Sequence, residues 1–123
     1  MKLILLAFPQ HPRPPQRELR QRGVFDPGGS LIGYVANVYV DEERHYRFLD
    51  VAMSGLIGLG RKHRLVPVEA IAEGEPGSIT LRVDRLTIES APTLDDPHTA
   101  PDEGLQRVAR EHCSLAAVPP PEA

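Results

Sequence analysis

A glycine-rich segment followed by basic residues, Gly55-x-x-x-x-Gly60-Arg61-Lys62-His63, is the nearest approach of this sequence to a ligand-binding motif. Such a loop could hold a phosphate group through its backbone N–H groups and a lysine, as nucleotide-binding loops do. Here the lysine comes one position late, no Ser or Thr follows it to hold magnesium, and the next segment has the pattern of a strand instead of a helix. We therefore predict that this loop does not bind phosphate.

The same loop has two other interpretations, which the sequence leaves open. Its aliphatic residues could fold over the mouth of a barrel and cover the core, or they could contact a partner protein. In the second case the binding surface consists of Leu56, Ile57, Leu59, Arg61, Lys62 and Arg64. A mixture of aliphatic residues and arginine on a loop is typical of recognition sites, and charge complementarity would set orientation and association rate more than affinity.

Residues able to bind a metal occur towards the C-terminus, at His98, His112 and Cys113, with the pair Asp102 and Glu103 nearby. Adjacent side chains leave a helix about 100° apart, so His112 and Cys113 do not converge on one ion. Structural zinc sites also have more closely paired ligands. We predict no metal and no other cofactor, with His112 half-buried and Cys113 an incidental thiol.

Acidic residues cluster at Asp41, Glu42 and Glu43, on the charged tip of a predicted hairpin. Catalytic carboxylates need perturbed pKa values, and a hairpin tip offers nothing to desolvate them. We expect a solvated turn there, and the same argument applies to Glu73 and Glu75. Neither the order nor the spacing of Cys113 and the histidines suggests a nucleophile and its base. The sequence therefore predicts no catalytic residues, and we do not expect an enzyme.

Length and composition indicate one globular domain, because the chain has 123 residues with 41% hydrophobic and 25% charged. The net charge of −3 is unevenly distributed. Residues 1–22 carry five Lys or Arg and one Asp or Glu. Residues 23–95 carry seven basic and eleven acidic residues, and residues 96–123 carry two basic and five acidic residues. A basic arm thus precedes an acidic body, but its dispersed arginines without interleaved aromatics make a weak nucleic-acid footprint.

The ends of the chain differ from its middle. The single cysteine excludes an internal disulfide, which fits a reducing compartment. The apolar run from Leu3 to Phe8 is too short to span a membrane, and we interpret it as an extra strand or a partly disordered start, with an uncleaved export signal as the alternative. The predicted organisation is a basic, proline-rich arm at 1–22, a barrel domain at 23–95 and a C-terminal extension at 96–123 with a proline-rich tail.

Short apolar runs and turns predict a mainly all-β fold. Strands are expected at Val24–Asp26, Leu31–Val40 with a bulge or kink near Ala36, Tyr46–Met53, Leu65–Ile71 and Ile79–Val83. Turns are expected at Pro27–Ser30, Asp41–Arg44 and Glu73–Ser78. The second and third of these strands should pair antiparallel. Pro67 argues for an edge or a bulge. Asp84 is expected to cap a short helical turn through Ile88, and a helix at 102–113 has Leu105, Val108, Ala109 and His112 on one face.

The motif Ile32-Gly33-x-Val35-x-x-Val38-x-Val40-Asp41, with Gly58-Leu59-Gly60-Arg61-Lys62 and the strand Leu65-Val66-Pro67-Val68-Glu69-Ala70-Ile71, resembles the PRC-barrel domain family. The resemblance covers about residues 23–95 and includes Leu86-Thr87 and Ser90-Ala91-Pro92. The family includes the cytoplasmic domain of the photosynthetic reaction centre H subunit and the ribosome maturation factor RimM. It implies a small, strongly bent β-barrel that acts mainly by binding other proteins, without a shared catalytic centre.

The resemblance leaves the role of the chain open. The chain lacks the transmembrane helix of the reaction centre subunit and the preceding domain of RimM, so neither role transfers directly. The first hypothesis is a bacterial, non-enzymatic adaptor or regulatory subunit of a membrane-associated or photosynthetic complex, located in the cytoplasm or peripherally at the inner membrane. Exposed edges near Pro67 or at Val24–Phe25 could allow a homodimer. The alternative is an RNA or ribosome-assembly factor that uses the basic arm and Arg61–Arg64, although we expect nucleic acid to be the less favoured partner.

Overall fold

The computed structural model describes residues 2–5, 22–54, 61–75, 77–96 and 99–116. Their strands form one strongly curled sheet in the order β5-β4-β3-β2-β7-β6, with β1 pairing to β3 beside this path. The strands are β1 (Ile4–Leu5), β2 (Gly23–Phe25), β3 (Leu31–Val40), β4 (Tyr46–Ser54), β5 (Arg61–Pro67), β6 (Ile71–Glu75) and β7 (Ser78–Leu81), and the helices are α1 (Arg85–Glu89) and α2 (Glu103–Ala116). The architecture is that of a small PRC-type barrel, and the predicted mainly-β fold is confirmed.

The long hairpin β3–β4 forms the centre of the sheet. Its antiparallel register steps from Val35 opposite Val51 to Asn37 opposite Asp50, which leaves Ala36 as the extra residue of a bulge. The predicted bulge near Ala36 and the predicted pairing of these strands are both confirmed. The bulge allows valines of both parities in β3 to face the same interior, which an unbroken alternation would prevent.

The first turn of the sheet is also as predicted. Asp26 accepts hydrogen bonds at Oδ1 from the backbone N–H groups of Gly28 and Ser30. Gly29 completes the turn with φ of 89°, a conformation that glycine adopts without steric cost. The turn returns the chain from β2 to β3.

Strand β2 is internal, which corrects one prediction. It pairs antiparallel with β3 on one side and parallel with β7 on the other. Val24 and Phe25 therefore offer no free edge to a second copy of the chain. Sequence reasoning missed this pairing because the partner strand, Ser78–Leu81, lies more than 50 residues away.

The predicted strand Leu65–Ile71 is wrong in its boundaries. The strand begins earlier, at Arg61, and ends at Pro67, where a single 3-10 turn at Val68–Ala70 intervenes before β6. Proline has no N–H group with which to continue the ladder, so the strand ends there. The turn expected at Glu73–Ser78 is correspondingly shorter, because β6 runs to Glu75.

Strand β5 lies at one edge of the sheet, as Pro67 indicated, but part of that edge is covered. The backbone N–H of Leu65 donates to Pro92 O at 3.1 Å, and the N–H of Leu94 donates to His63 O at 2.9 Å. Arg64 reinforces this segment, because its Nη1 donates to Ala91 O at 2.8 Å and to Thr93 Oγ1 at 2.7 Å.

The two faces of the sheet carry separate apolar clusters. The inner face holds the main core, with Val24, Val35, Val38, Leu49, Val51, Val66, Ile79 and Leu81, and Ile88 of α1 closes it. On the outer face, Tyr39, Phe48 and Leu65 pack with Leu3, Leu94 and Ala109 of α2. The alternation of Leu49 and Val51 with Phe48 and Asp50 in β4 produces this division. Helix α2 therefore covers one end of the outer face.

Helix α1 begins at the predicted cap, and α2 begins one residue after Asp102, where the helix was expected to open. Asp84 accepts from the N–H and the hydroxyl of Thr87, and Asp102 accepts from the N–H of Leu105. The predicted burial of Val108 is wrong, because its side chain is 52% exposed. Ala109 of the predicted face is buried, and Leu105 is partly buried against the outer cluster. Gln106 and Cys113, which the sequence did not place on this face, are buried as well.

Candidate protein-binding surface

The part of the outer face that α2 does not cover carries exposed apolar side chains. Tyr34 is 47% exposed and Leu31 is 41% exposed, and Phe25 beside them is half-buried. These three residues, which we call the bare outer surface, lie on β2 and β3. A Cβ atom placed on Gly23 would lie 3.1 Å from the Phe25 ring and 3.7 Å from Leu31 Cδ1, so both side chains pack over this glycine.

The position of Tyr34 follows from the register. It lies opposite Gly23 in β2 and opposite Ala52 in β4, and Ala52 in turn lies opposite His63 in β5. Directly opposed residues of neighbouring strands project from the same face of a sheet. Tyr34 and His63 are therefore two strands apart in one row, about 10 Å at the usual strand spacing.

A polar cluster borders the bare outer surface at His63. Asp50, whose side chain is fully buried, accepts hydrogen bonds from His63 Nδ1 at 2.8 and 3.0 Å and from Asn37 Nδ2 at 2.8 Å. A carboxylate only accepts hydrogen bonds, so the hydrogen of the imidazole contact is on Nδ1. These bonds satisfy a carboxylate that would be costly to bury alone.

Tyr39 lies on the same face of the sheet as Asp50, opposite Phe48. Burial, followed by the negative charges of Asp50 and Asp96, raises the pKa of its phenol, so this group is neutral at physiological pH. Sequence reasoning missed the cluster around Asp50. The available signal was a charged residue between Leu49 and Val51, inside the otherwise apolar run from Phe48 to Met53.

The predicted protein-binding residues are only partly described by the structure. Leu56, Ile57 and Leu59 lie outside the described residues. Lys62 is exposed, whereas Arg64 is half-buried and bonded to the Ala91–Thr93 segment. Arg61 is the first residue of β5 and lies opposite Ser54. This pair is two residues further along the strands than the pair of Ala52 and His63. The strand ends Ser54 and Arg61 thus lie near the bare outer surface, and the part of the intervening loop in binding stays a prediction.

The strand that follows the glycine-rich loop is confirmed. Phosphate-binding loops of the type considered above lead into the N-terminus of a helix, where backbone N–H groups point at the anion. Here the chain continues as β5 from Arg61 to Pro67. The absence of a helix at this point removes the main structural requirement of such a site.

The acidic hairpin tip differs from its prediction at one residue. The Asp41 side chain is only 10% exposed and is not a freely solvated group. It accepts hydrogen bonds from the N–H groups of Glu43 and His45 and from Arg47 Nε. The His45 N–H, then Arg47 and Glu43, lower the pKa of Asp41 to about 2 against the opposing effect of desolvation. A carboxyl group of such low pKa is a poor general acid. The hydrogen bonds that Asp41 accepts instead hold the turn together.

The low pKa of Asp41 predicts a loss of stability in acid. Its folded-state value of about 2 lies below the ordinary value of 3.8, so its contribution is present above the ordinary value and is lost as the pH falls towards 2. We expect Asp41→Asn to remove this part of the pH dependence. Urea denaturation midpoints measured from pH 5 to pH 2 should fall less steeply with decreasing pH for the variant than for wild type. Parallel curves for variant and wild type would contradict the assignment.

The candidate metal ligands have other roles where they are described. His112 Nε2 donates to Thr87 O at 2.7 Å and lies 3.2 Å from Ser90 Oγ. These two contacts join α2 to α1. Cys113 is buried in the inner core, and burial raises the pKa of its thiol to about 11. His98 lies outside the described residues. Within the described ranges, no three His, Cys, Asp or Glu side chains are grouped as a metal site would need.

Neither α1 nor α2, nor any other helix in the described part of the chain, is long and apolar enough to cross a bilayer.

The curled sheet with a separately covered outer face defines a small β-barrel domain. A comparison with known protein families matches residues 15–89 to the PRC-barrel domain family. The match covers more than half of the chain, and the chain belongs to this family, which confirms the resemblance noted in its sequence. A search of curated proteins found no match. PRC-barrel domains are generally non-catalytic.

Proposed function

We propose that this chain is a non-enzymatic adaptor that binds another protein through the bare outer surface of Phe25, Leu31 and Tyr34 and the adjoining β4–β5 loop. The observation that carries the proposal is the exposure of Leu31 and Tyr34 on one strand, beside the half-buried Phe25. Burying a large apolar side chain on association contributes about 1.5–3 kcal/mol. Tyrosine is also among the residues that most often dominate binding energy.

The proposed surface has the composition of a typical interface. An apolar centre of Leu31 and Tyr34 is bordered by polar groups of Asn37 and His63. Interfaces have such an aromatic centre and polar rim. The β4–β5 loop enlarges this area if Leu56 and Ile57 face the same partner. The wider role we propose is a subunit that assembles or regulates a larger complex, in the cytoplasm or at the membrane surface.

The chemistry of the described polar groups supports a binding role over an enzymatic one. Asp50 and His63 are used to satisfy each other at the rim of the outer cluster, and Asp41 holds a turn. The thiol of Cys113 is buried and protonated at neutral pH. A nucleophile must be accessible and paired with a base, and the described residues provide no such pair.

The RNA-associated alternative is less well supported by the placement of the basic residues. An RNA-binding patch needs several cationic side chains that are free to contact phosphates. In the run Arg61–Arg64, the Arg64 guanidinium is bonded to Ala91 and Thr93, and the His63 imidazole is bonded to Asp50. Lys62 is the exposed member of the run whose side chain is described.

Affinity capture with matched variants tests the proposal. Tagged wild type and the double variant Leu31→Ala, Tyr34→Ala would be compared in native lysate and in detergent-solubilised membranes of the source cells, with captured proteins quantified by mass spectrometry. We expect one protein to be retained by wild type and reduced at least about tenfold in the variant, because truncated interface anchors commonly cost more than 1.4 kcal/mol. A second variant, Leu56→Asp with Ile57→Asp, tests the loop separately.

Ile4→Ala is the matched control. Ile4 is 47% exposed, as Tyr34 is, but it pairs with Val40, six residues along β3 from Tyr34 and about 20 Å away. Its capture profile should equal that of wild type. Equal loss in the control and the double variant, or equal retention in all variants, would refute the proposed surface. Capture that disappears after nuclease treatment and falls steeply with salt would favour the RNA alternative.

A further inference from the structure

We draw no further inference here: the strongest candidate, the exposed apolar surface of Phe25, Leu31 and Tyr34 on the outer face of the sheet, belongs to the site already described, and nothing in the described part of the chain shows which molecule covers it.

Discussion

Replacing Gly33 with alanine is expected to lower the free energy of unfolding by about 3 kcal/mol, at the upper end of the usual cost of overpacking. A Cβ atom on Gly33 would lie 2.2 Å from Ala52 O and 3.3 Å from Met53 Cα. These are backbone atoms of β4, and they cannot move aside as the end of a flexible side chain can. Strands β3 and β4 approach each other closely at this position, so the methyl group would have to push the two strands of the central hairpin apart.

Urea denaturation of the purified chain measures this effect, and Gly74→Ala is the matched control. A Cβ atom on Gly74 would lie 3.6 Å from Arg22 Nη1, which is ordinary van der Waals contact. We expect the control to remain within about 0.5 kcal/mol of wild type. A Gly33→Ala variant as stable as the control would show that the close approach of the two strands is not required by the fold.

Replacing Asp50 with alanine should cost about 3 kcal/mol of unfolding free energy, because removing one member of a buried, hydrogen-bonded pair leaves its donors unsatisfied. Asp50 is fully buried and accepts from both Asn37 and His63. The Asn37 amide and the His63 imidazole would both lose their acceptor, and a cavity would form beside Tyr39. Thermal or urea unfolding measures the loss.

A double-mutant cycle separates the bond between Asp50 and His63 from the rest of the effect. His63→Ala alone, Asp50→Ala alone and the double variant give the coupling energy, which should exceed about 1 kcal/mol for a close charge-assisted contact. Asp95→Ala, at an exposed acid, is the control and should be nearly neutral. A coupling energy near zero would mean that His63 does not stabilise the buried carboxylate.

The sequence predicted the local features of the fold well, because they depend on neighbouring residues. The bulge at Ala36 followed from valines of both parities in one strand, and the cap at Asp84 followed from an acid placed three residues before Thr87. Long-range features were harder to predict. The parallel pairing of β2 with β7 joins residues that are far apart in sequence, and no local sequence pattern around Val24 or Phe25 indicates it.

Helix α2 and the outer surface illustrate why the candidate site could be predicted only in part. The predicted face of α2 includes Val108, which is exposed, whereas Gln106 and Cys113 lie one position further round the helix and are buried. Likewise, Tyr34 is a large aromatic residue of a type that often lies in a core. Its exposure depends on how far along the sheet α2 extends, and this is a property of tertiary packing. The loop residues Leu56 and Ile57 were recognisable because recognition sites are common on loops.

Site-specific photocrosslinking tests the central claim most directly. A benzoylphenylalanine residue would replace Tyr34 in one variant, Ile57 in a second and Ile4 in a third, and each would be irradiated in intact cells of the source organism. We expect a discrete protein adduct of the same partner from positions 34 and 57, and none from position 4. Adducts from position 4 alone, or crosslinks from all three positions only to nucleic acid, would contradict a protein-binding surface on the outer face of β3.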